Sequence, residues 1–240
     1  SDLEYVQEVT LEEAFRGAKK TIRFKTLDAC ARCGGLGYFL KEGVTECRVC
    51  NGRGEIQESR NTFFGNFTQR KVCGKCHGQG QIPNSVCTVC SGTGRVRDER
   101  TVDVHIASGV EDGQIVKIAQ AGEVGERGAE AGDLYVRIKI APHAVFERHG
   151  NDLAARKEVN VVDLLLGERI EVATIDGKQV TVELPRGFNL REPLRIPGEG
   201  MARFGGGGRG DLYLTLDVRT PKKISAKAQK LLEDLRKEVE

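Results

Sequence analysis

The chain has no tryptophan, a single methionine, four histidines and six prolines in 240 residues, and aromatic residues make up 5% of it. So few rings leave no row of stacking platforms of the kind that holds single-stranded nucleic acid. Charge of one sign is missing as well. Thirty-seven basic residues stand against 35 acidic ones, a net +2, too little for a general field toward a polyanion or an anionic membrane. No apolar run reaches the roughly 18 residues from which a bilayer-spanning helix is read. There is no secretory signal, and Ser1-Asp2 opens the chain without methionine, so a cytoplasmic piece of something longer is expected. The glycine run Gly205–Gly210 lacks the Lys-Ser/Thr that closes a phosphate cradle, and no Ser/His/Asp arrangement stands out. Arg209-Gly210-Asp211 spells an adhesion tripeptide, but Gly-Asp recurs at Gly132-Asp133 and reads as a turn entering a strand.

Cysteine is distributed quite differently. All eight lie in four copies of C-x-x-C-x-G-x-G: CARCGGLG (Cys30–Gly37), CRVCNGRG (Cys47–Gly54), CGKCHGQG (Cys73–Gly80) and CTVCSGTG (Cys87–Gly94). A C-x-x-C turn presents two thiolates to one metal ion, and four turns supply the eight ligands that two tetrahedral, all-cysteine zinc sites need. The glycines let the chain turn sharply past the metal so that backbone N–H groups face the sulfurs. Arg32, Arg48 and Lys75, each inside a C-x-x-C, offset part of the negative charge. Disulfides would suit a secreted chain, and a redox C-x-x-C would need only one copy. Two structural zinc ions are therefore expected. His77 lies inside the third unit, but the cysteines already complete the ligand count.

A second repeat is less conspicuous. GDLYVRI (Gly132–Ile138) matches GDLYLTL (Gly210–Leu216) at an offset of 78. The offset holds without a gap from Val102 on Val180, through Val104, Ile106, Gly109, Val116 and Ile118, to Gly122 on Gly200. Apolar residues at alternate positions with glycine between them are the pattern of strands and turns. Upstream, Thr10–Phe24 resembles Val161–Val172 with Gly17 set on Gly167, an offset of 150. Each reads as a short helix, a glycine and a strand, and Thr10 with Glu13 forms a capping-box pattern. The offsets differ by 72 residues, the length of an insertion in the first copy. In the second copy that place holds Asp176-Gly177-Lys178, a hairpin turn. In the first it holds the four cysteine units.

The expected fold is thus mostly β: two tandem homologous β-sandwich-like domains, residues 1–29 with 96–144 and residues 145–220. A zinc module, residues 30–95, is inserted in the first, and a helix lies in residues 221–240. A module replacing a hairpin tip has its two ends close together. That favours one zinc on Cys30, Cys33, Cys87 and Cys90 and the other on Cys47, Cys50, Cys73 and Cys76, with pairing of sequence neighbours as the alternative. In the tail, Ser225 is an N-cap candidate, and Ala228, Leu231, Leu232, Leu235 and Val239 form a stripe. That stripe either docks on its own domain or joins two chains.

These features together resemble the DnaJ co-chaperone family, in its form with a cysteine-rich zinc domain, over essentially the whole chain. The four cysteine units, AGDLYVRI and GEGMARFGGGGRGDLYLTL carry the resemblance. It implies the same first-with-fourth, second-with-third zinc pairing. It implies binding of unfolded polypeptide clients in a groove of the first β-domain, at Leu3, Ile22, Phe24, Val102, Leu134 and Val136, each of which could equally be ordinary core. It implies hand-over to a DnaK-type chaperone, a zinc module that assists the transfer, a homodimer through the C-terminal helix, and no enzymatic activity. No His-Pro-Asp of the family's J-domain occurs in these residues, so the resemblance is to the client-binding half of such a protein. Two rivals are thiol–disulfide oxidoreductase activity, through Cys73/Cys76 or another pair, and zinc-dependent nucleic-acid binding. Low net charge and scarce aromatics argue against the second.

Overall fold

In a computed structural model, residues 1–62 and 65–238 are described. Val239 of the tail stripe lies outside them.

The chain opens with β1 (Leu3–Val9), α1 (Leu11–Arg16) and β2 (Ala18–Ala29). The capping box starts α1: the Thr10 hydroxyl accepts from the Glu13 N–H at 3.2 Å and the Glu13 carboxylate accepts from the Thr10 N–H at 3.0 Å. Four strands follow among the cysteine units: β3 (Val44–Glu46), β4 (Glu55–Thr62), β5 (Gly65–Val72) and β6 (Gln81–Pro83). β4 and β5 pair antiparallel, as do β3 and β6. The first copy resumes with β7 (Arg95–Ile106), β8 (Ile115–Ile118) and β9 (Leu134–Ile140). After β10 (Glu147–His149) the second copy runs through β11 (Asp152–Asn160), α2 (Val161–Leu166), β12 (Arg169–Ala173), β13 (Gln179–Glu183), β14 (Leu194–Ile196) and β15 (Leu212–Arg219). α3 (Ala226–Glu238) ends the described chain, with the Ser225 hydroxyl accepting from the Ala228 N–H at 3.1 Å as its cap.

The molecule is mostly β, as expected, and both copies repeat one order of elements. β1, α1, β2, β7, β8 and β9 correspond to β11, α2, β12, β13, β14 and β15. The pairing repeats too: β2 with β7 as β12 with β13, and the order β1-β9-β8 as β11-β15-β14. In the second copy β11 runs parallel to β15, from Leu153 opposite Leu212 to Asn160 opposite Arg219. Its hairpin closes at the expected turn, where the Thr174 N–H donates to the Lys178 carbonyl. In the first copy residues 30–94 leave and return between two paired strands, and the Cys30 N–H donates to the Gly94 carbonyl at 2.9 Å.

The Gly-Asp-Leu signature has one structural job in both copies. Asp133 accepts from the Gln120 N–H and pairs with Lys117 at 2.6 Å, while its own N–H donates to Asp2. Asp211 accepts from the Gly198 N–H and pairs with Arg195 at 2.7 Å, while its N–H donates to Asp152. The glycine before each aspartate is needed because the chain entering the first strand of the copy passes against it. A Cβ on Gly210 would stand 2.0 Å from the Asn151 carbonyl oxygen. The Arg-Gly-Asp tripeptide is therefore a strand-entry turn.

The chain forms two compact units. One comprises Ser1–Tyr5, Thr21–Val102 and Lys117–Val136 and holds every cysteine. Its β-core includes Ile22, Leu134 and Val136, each at most 2% exposed. The other comprises Val6–Lys20, Asp103–Val116 and Arg137–Glu240, with Leu153, Leu212 and Leu214 at its centre. No described residue of α3 is buried, and Leu231, Leu232 and Leu235 are exposed. No described helix is long and apolar enough to cross a membrane.

The two frame aspartates generate a pH dependence. The Lys117 ammonium lowers the Asp133 pKa, and the Gly198 N–H followed by the Arg195 guanidinium lowers that of Asp211. A carboxyl whose folded pKa lies below its unfolded value of about 3.9 stabilises the fold above that value and ceases to do so as pH falls through the folded pKa. The difference in urea midpoint between the native chain and the Asp133→Asn/Asp211→Asn variant should be constant from neutral pH to about 4.5 and shrink below about 4. A difference that grows on acidification contradicts the assignment.

Candidate metal centres

Each cysteine unit is a tight turn that opens on its first cysteine. The Cys33 N–H donates to the Cys30 carbonyl and the His77 N–H to the Cys73 carbonyl. The residue after the second cysteine takes a left-handed conformation in every unit: Gly34, Asn51, His77 and Ser91, with φ between 48° and 61°. His77 thus serves as a turn residue and is exposed. Two residues beyond the middle glycine of the motif, its last glycine turns an N–H onto the second sulfur. Gly37 donates to Cys33 and Gly54 to Cys50 at 3.2 Å, and Gly80 donates to Cys76 and Gly94 to Cys90 at 3.3 Å.

Units then join in pairs by a reciprocal exchange. The Cys30 N–H donates to the Gly94 carbonyl while the Cys87 N–H donates to the Gly37 carbonyl. The Cys47 N–H donates to the Gly80 carbonyl while the Cys73 N–H donates to the Gly54 carbonyl. The exchange brings backbone onto backbone, which explains the last glycine: at Gly94, with φ 79°, a Cβ would lie 1.9 Å from the Gly35 carbonyl oxygen.

The result is two groups of four buried cysteines, Cys30, Cys33, Cys87 and Cys90, and Cys47, Cys50, Cys73 and Cys76. Sulfur pairs across the units stand at 3.9 Å (Cys30–Cys87), 3.8 Å (Cys33–Cys90), 3.9 Å (Cys47–Cys73) and 3.6 Å (Cys50–Cys76). Sulfurs at about 2.3 Å from one zinc occupy tetrahedral corners roughly 3.8 Å apart. A disulfide would need about 2.05 Å. The spacing fits zinc, and both groups are placed to bind it. The first unit shares a group with the fourth and the second with the third, so the insertion argument selected the right alternative. Phe39 and Val96 pack against the first group, Ile56 and Ile82 against the second.

The thiols within a group are unequal. Burial pushes Cys33 and Cys50 up to about 11, while backbone N–H groups, chiefly those of Cys90 and Cys76, bring Cys87 and Cys73 down to about 7. Each group therefore combines a thiol that ionises readily with one that gives up its proton only to a strong counter-charge. A divalent ion supplies that charge and displaces the protons on binding.

The positions taken from the family resemblance lie in the same unit of the chain. Leu3 on β1 adjoins Leu134 on β9, since the Leu3 N–H donates to the Asp133 carbonyl. Ile22 and Phe24 lie on β2, opposite β7 with Val102. The Tyr5 and Phe24 rings, 6.3 Å apart, link β1 to β2. Leu3, Phe24 and Val102 are half-buried, whereas Ile22, Leu134 and Val136 are buried.

One contact escaped the sequence reading. The loop before β9 docks on the first metal group. The Arg127 N–H donates to the Thr93 carbonyl at 3.0 Å, and Arg95 pairs with Glu126 at 2.6 Å. The charged Gly-Glu-Arg-Gly stretch stands, at the 78-residue offset, where the second copy has Arg203 and the glycine run, and that contrast was the available signal.

The profile of the DnaJ C terminal domain matches residues 3–221. "Chaperone protein DnaJ 1" of Corynebacterium glutamicum is 37% identical over 98% of this chain and 62% of its own length. "Chaperone protein DnaJ" of Methylorubrum populi is 38% identical over 98% of this chain and 60% of its own. That of Rhodobacter capsulatus is 41% identical over 99% and 61%. The chain spans about 60% of the length of these relatives.

Metal analysis tests the geometry. Chain purified without chelator should carry two zinc ions. Cys30→Ser with Cys87→Ser should leave one, whereas Cys30→Ser with Cys47→Ser should leave none. Loss of both ions in the first variant contradicts the pairing.

Proposed function

The chain belongs to the DnaJ C-terminal domain family, and from that premise we propose that it binds unfolded or non-native polypeptide without catalysing a reaction on it. The groove lies in the first β-domain, residues 1–29 with 96–144. The internal repeat supplies the observation that carries this reading. At the offsets already given, Leu3, Phe24 and Val102 correspond to Leu153, Thr174 and Val180. The first three are all half-buried. Leu153 is 0% and Thr174 4% exposed, and the Thr174 hydroxyl is engaged by Asp176 and the Lys178 carbonyl. At two of the three positions a half-buried apolar side chain of the first copy thus stands where the second copy has a buried residue, while Val180 is half-buried like Val102. Ile22, Leu134 and Val136 form the floor beneath the open positions, and an extended segment lays alternate apolar side chains on that surface while its backbone runs along a strand edge.

The remaining assignments rest on the family. The bound segment is handed to a DnaK-type chaperone in the cytoplasm. The zinc module of residues 30–95 is structural and assists that transfer. Residues 145–220 act as a spacer to a dimer helix in residues 221–240. The exposure of Leu231, Leu232 and Leu235 on α3 supports the last assignment, because an apolar stripe left in water favours a second helix to cover it.

Phe24→Ser separates a groove from a closed core. Losing one large apolar contact removes roughly 1.5–3 kcal/mol, about ten- to a hundredfold in affinity. The variant should lose that much affinity for an unfolded hydrophobic peptide while its melting temperature barely changes. Unaltered binding in a folded variant moves the groove elsewhere, and absence of peptide binding by the native chain overturns the function. For the tail, sedimentation should show a dimer that Leu231→Asp with Leu235→Asp converts to a folded monomer. A native monomer ends that part of the proposal.

A further inference from the structure

The groove-facing row of β2 continues past its apolar part. Residues two apart on a strand share a face, so Ile22, Phe24 and Thr26 stand in one line. Thr26 breaks its chemistry. It is 5% exposed, and its hydroxyl has no hydrogen-bond partner among the described residues. Thr26 lines an open cleft of about 630 Å³, walled by Lys25–Leu27, Arg97–Glu99 and Glu123. At its far end the Leu27 carbonyl accepts from the Val124 N–H at 2.9 Å. Among the described strands β2 pairs only with β7, so a segment added along its other edge is stopped at Leu27 and reaches no farther than Thr26.

We propose that this cleft is the polar end of the client groove and takes a neutral hydrogen-bonding side chain, of the carboxamide or hydroxyl class, two residues from the apolar side chain that lies on Phe24. The inference rests on the groove reading above. A buried hydroxyl without a partner is unfavourable, and an apolar client group would leave it so, whereas a carboxamide or hydroxyl satisfies it. The hydroxyl is buried behind the cleft wall, so a client group reaches it once the Thr26 side chain rotates about its Cα–Cβ bond. The rim carries both signs, Lys25 and Arg97 against Asp98, Glu99 and Glu123, and so favours neither a carboxylate nor an ammonium ion.

Two unstructured peptides test this. Each has one leucine; in one it is flanked two residues away on both sides by asparagine, in the other by valine. The native chain should bind the asparagine peptide about tenfold more tightly, which is about what one hydrogen bond contributes. Thr26→Val should abolish that preference, keep the affinity for the valine peptide, and leave the melting temperature unchanged or raised. A preference that survives Thr26→Val overturns the proposal. So does a lowered melting temperature, which would give the hydroxyl a partner inside the fold. Equal binding of both peptides by the native chain defeats the subsite and leaves the groove standing, whereas binding of neither defeats both.

Discussion

Four sulfurs within 4.8 Å of one another can all ionise only beside a strong positive charge, and that constraint shapes the four cysteine units. The cysteines are buried in two groups, which removes the water that would screen them. What remains to hold such a group is a divalent ion and the backbone. The backbone contribution is visible as the N–H donated to the second sulfur of every unit and the exchange of N–H and carbonyl between paired units. The exchange requires the units to meet as near-symmetric partners, and the meeting requires glycine where carbonyl oxygen stands against α-carbon. The motif is therefore one device. The cysteines set the charge, the left-handed residue after them sets the turn, and the last glycine admits the partner.

The same economy appears outside the module, where one frame is used twice. An aspartate at the entry to the last strand of each copy binds the chain that enters the first strand, and a basic residue on the preceding strand, Lys117 or Arg195, neutralises it. This frame ties together segments more than a hundred residues apart in the first copy and about sixty in the second. It tolerates the insertion because the inserted residues return to the same pair of strands.

How far the sequence disclosed this follows from which interactions are local. The capping box at Thr10, the turn at Asp176-Gly177-Lys178 and the cap at Ser225 were legible because each is closed within four residues. The metal groups were legible despite ligands as much as 60 residues apart, because metal coordination restricts spacing so severely that four equal units leave few arrangements. The β4–β5 and β3–β6 pairings gave no such signal, since their residues lack a clean alternation. Arg127 was invisible for a different reason. Its contacts to the fourth cysteine unit run from its backbone N–H to the Thr93 carbonyl and from its Nε to the Gly92 carbonyl, and a backbone acceptor leaves no partner residue to be read from the sequence. The division of Leu3, Phe24 and Val102 from Ile22, Leu134 and Val136 was equally hidden, because all six are apolar and only packing distinguishes a wall from a floor.

The two copies differ most in the length of one hairpin, which in the first copy carries the metal module. β2 and β7 each run twelve residues, whereas β12 and β13 each run five. A five-residue pair ends at Thr174, where a hydroxyl closes onto the turn. Extending the pair carries the equivalent position, Phe24, into mid-strand, where no turn lies near enough to satisfy a polar group. The position is then free to be apolar and to face outward. A long two-stranded ribbon with an untethered end is only marginally stable, and the first metal group, joined to it by the Cys30–Gly94 hydrogen bond and braced by the Arg95–Glu126 pair, ties that end down. The insertion and the half-buried Phe24 thus both accompany one lengthened hairpin.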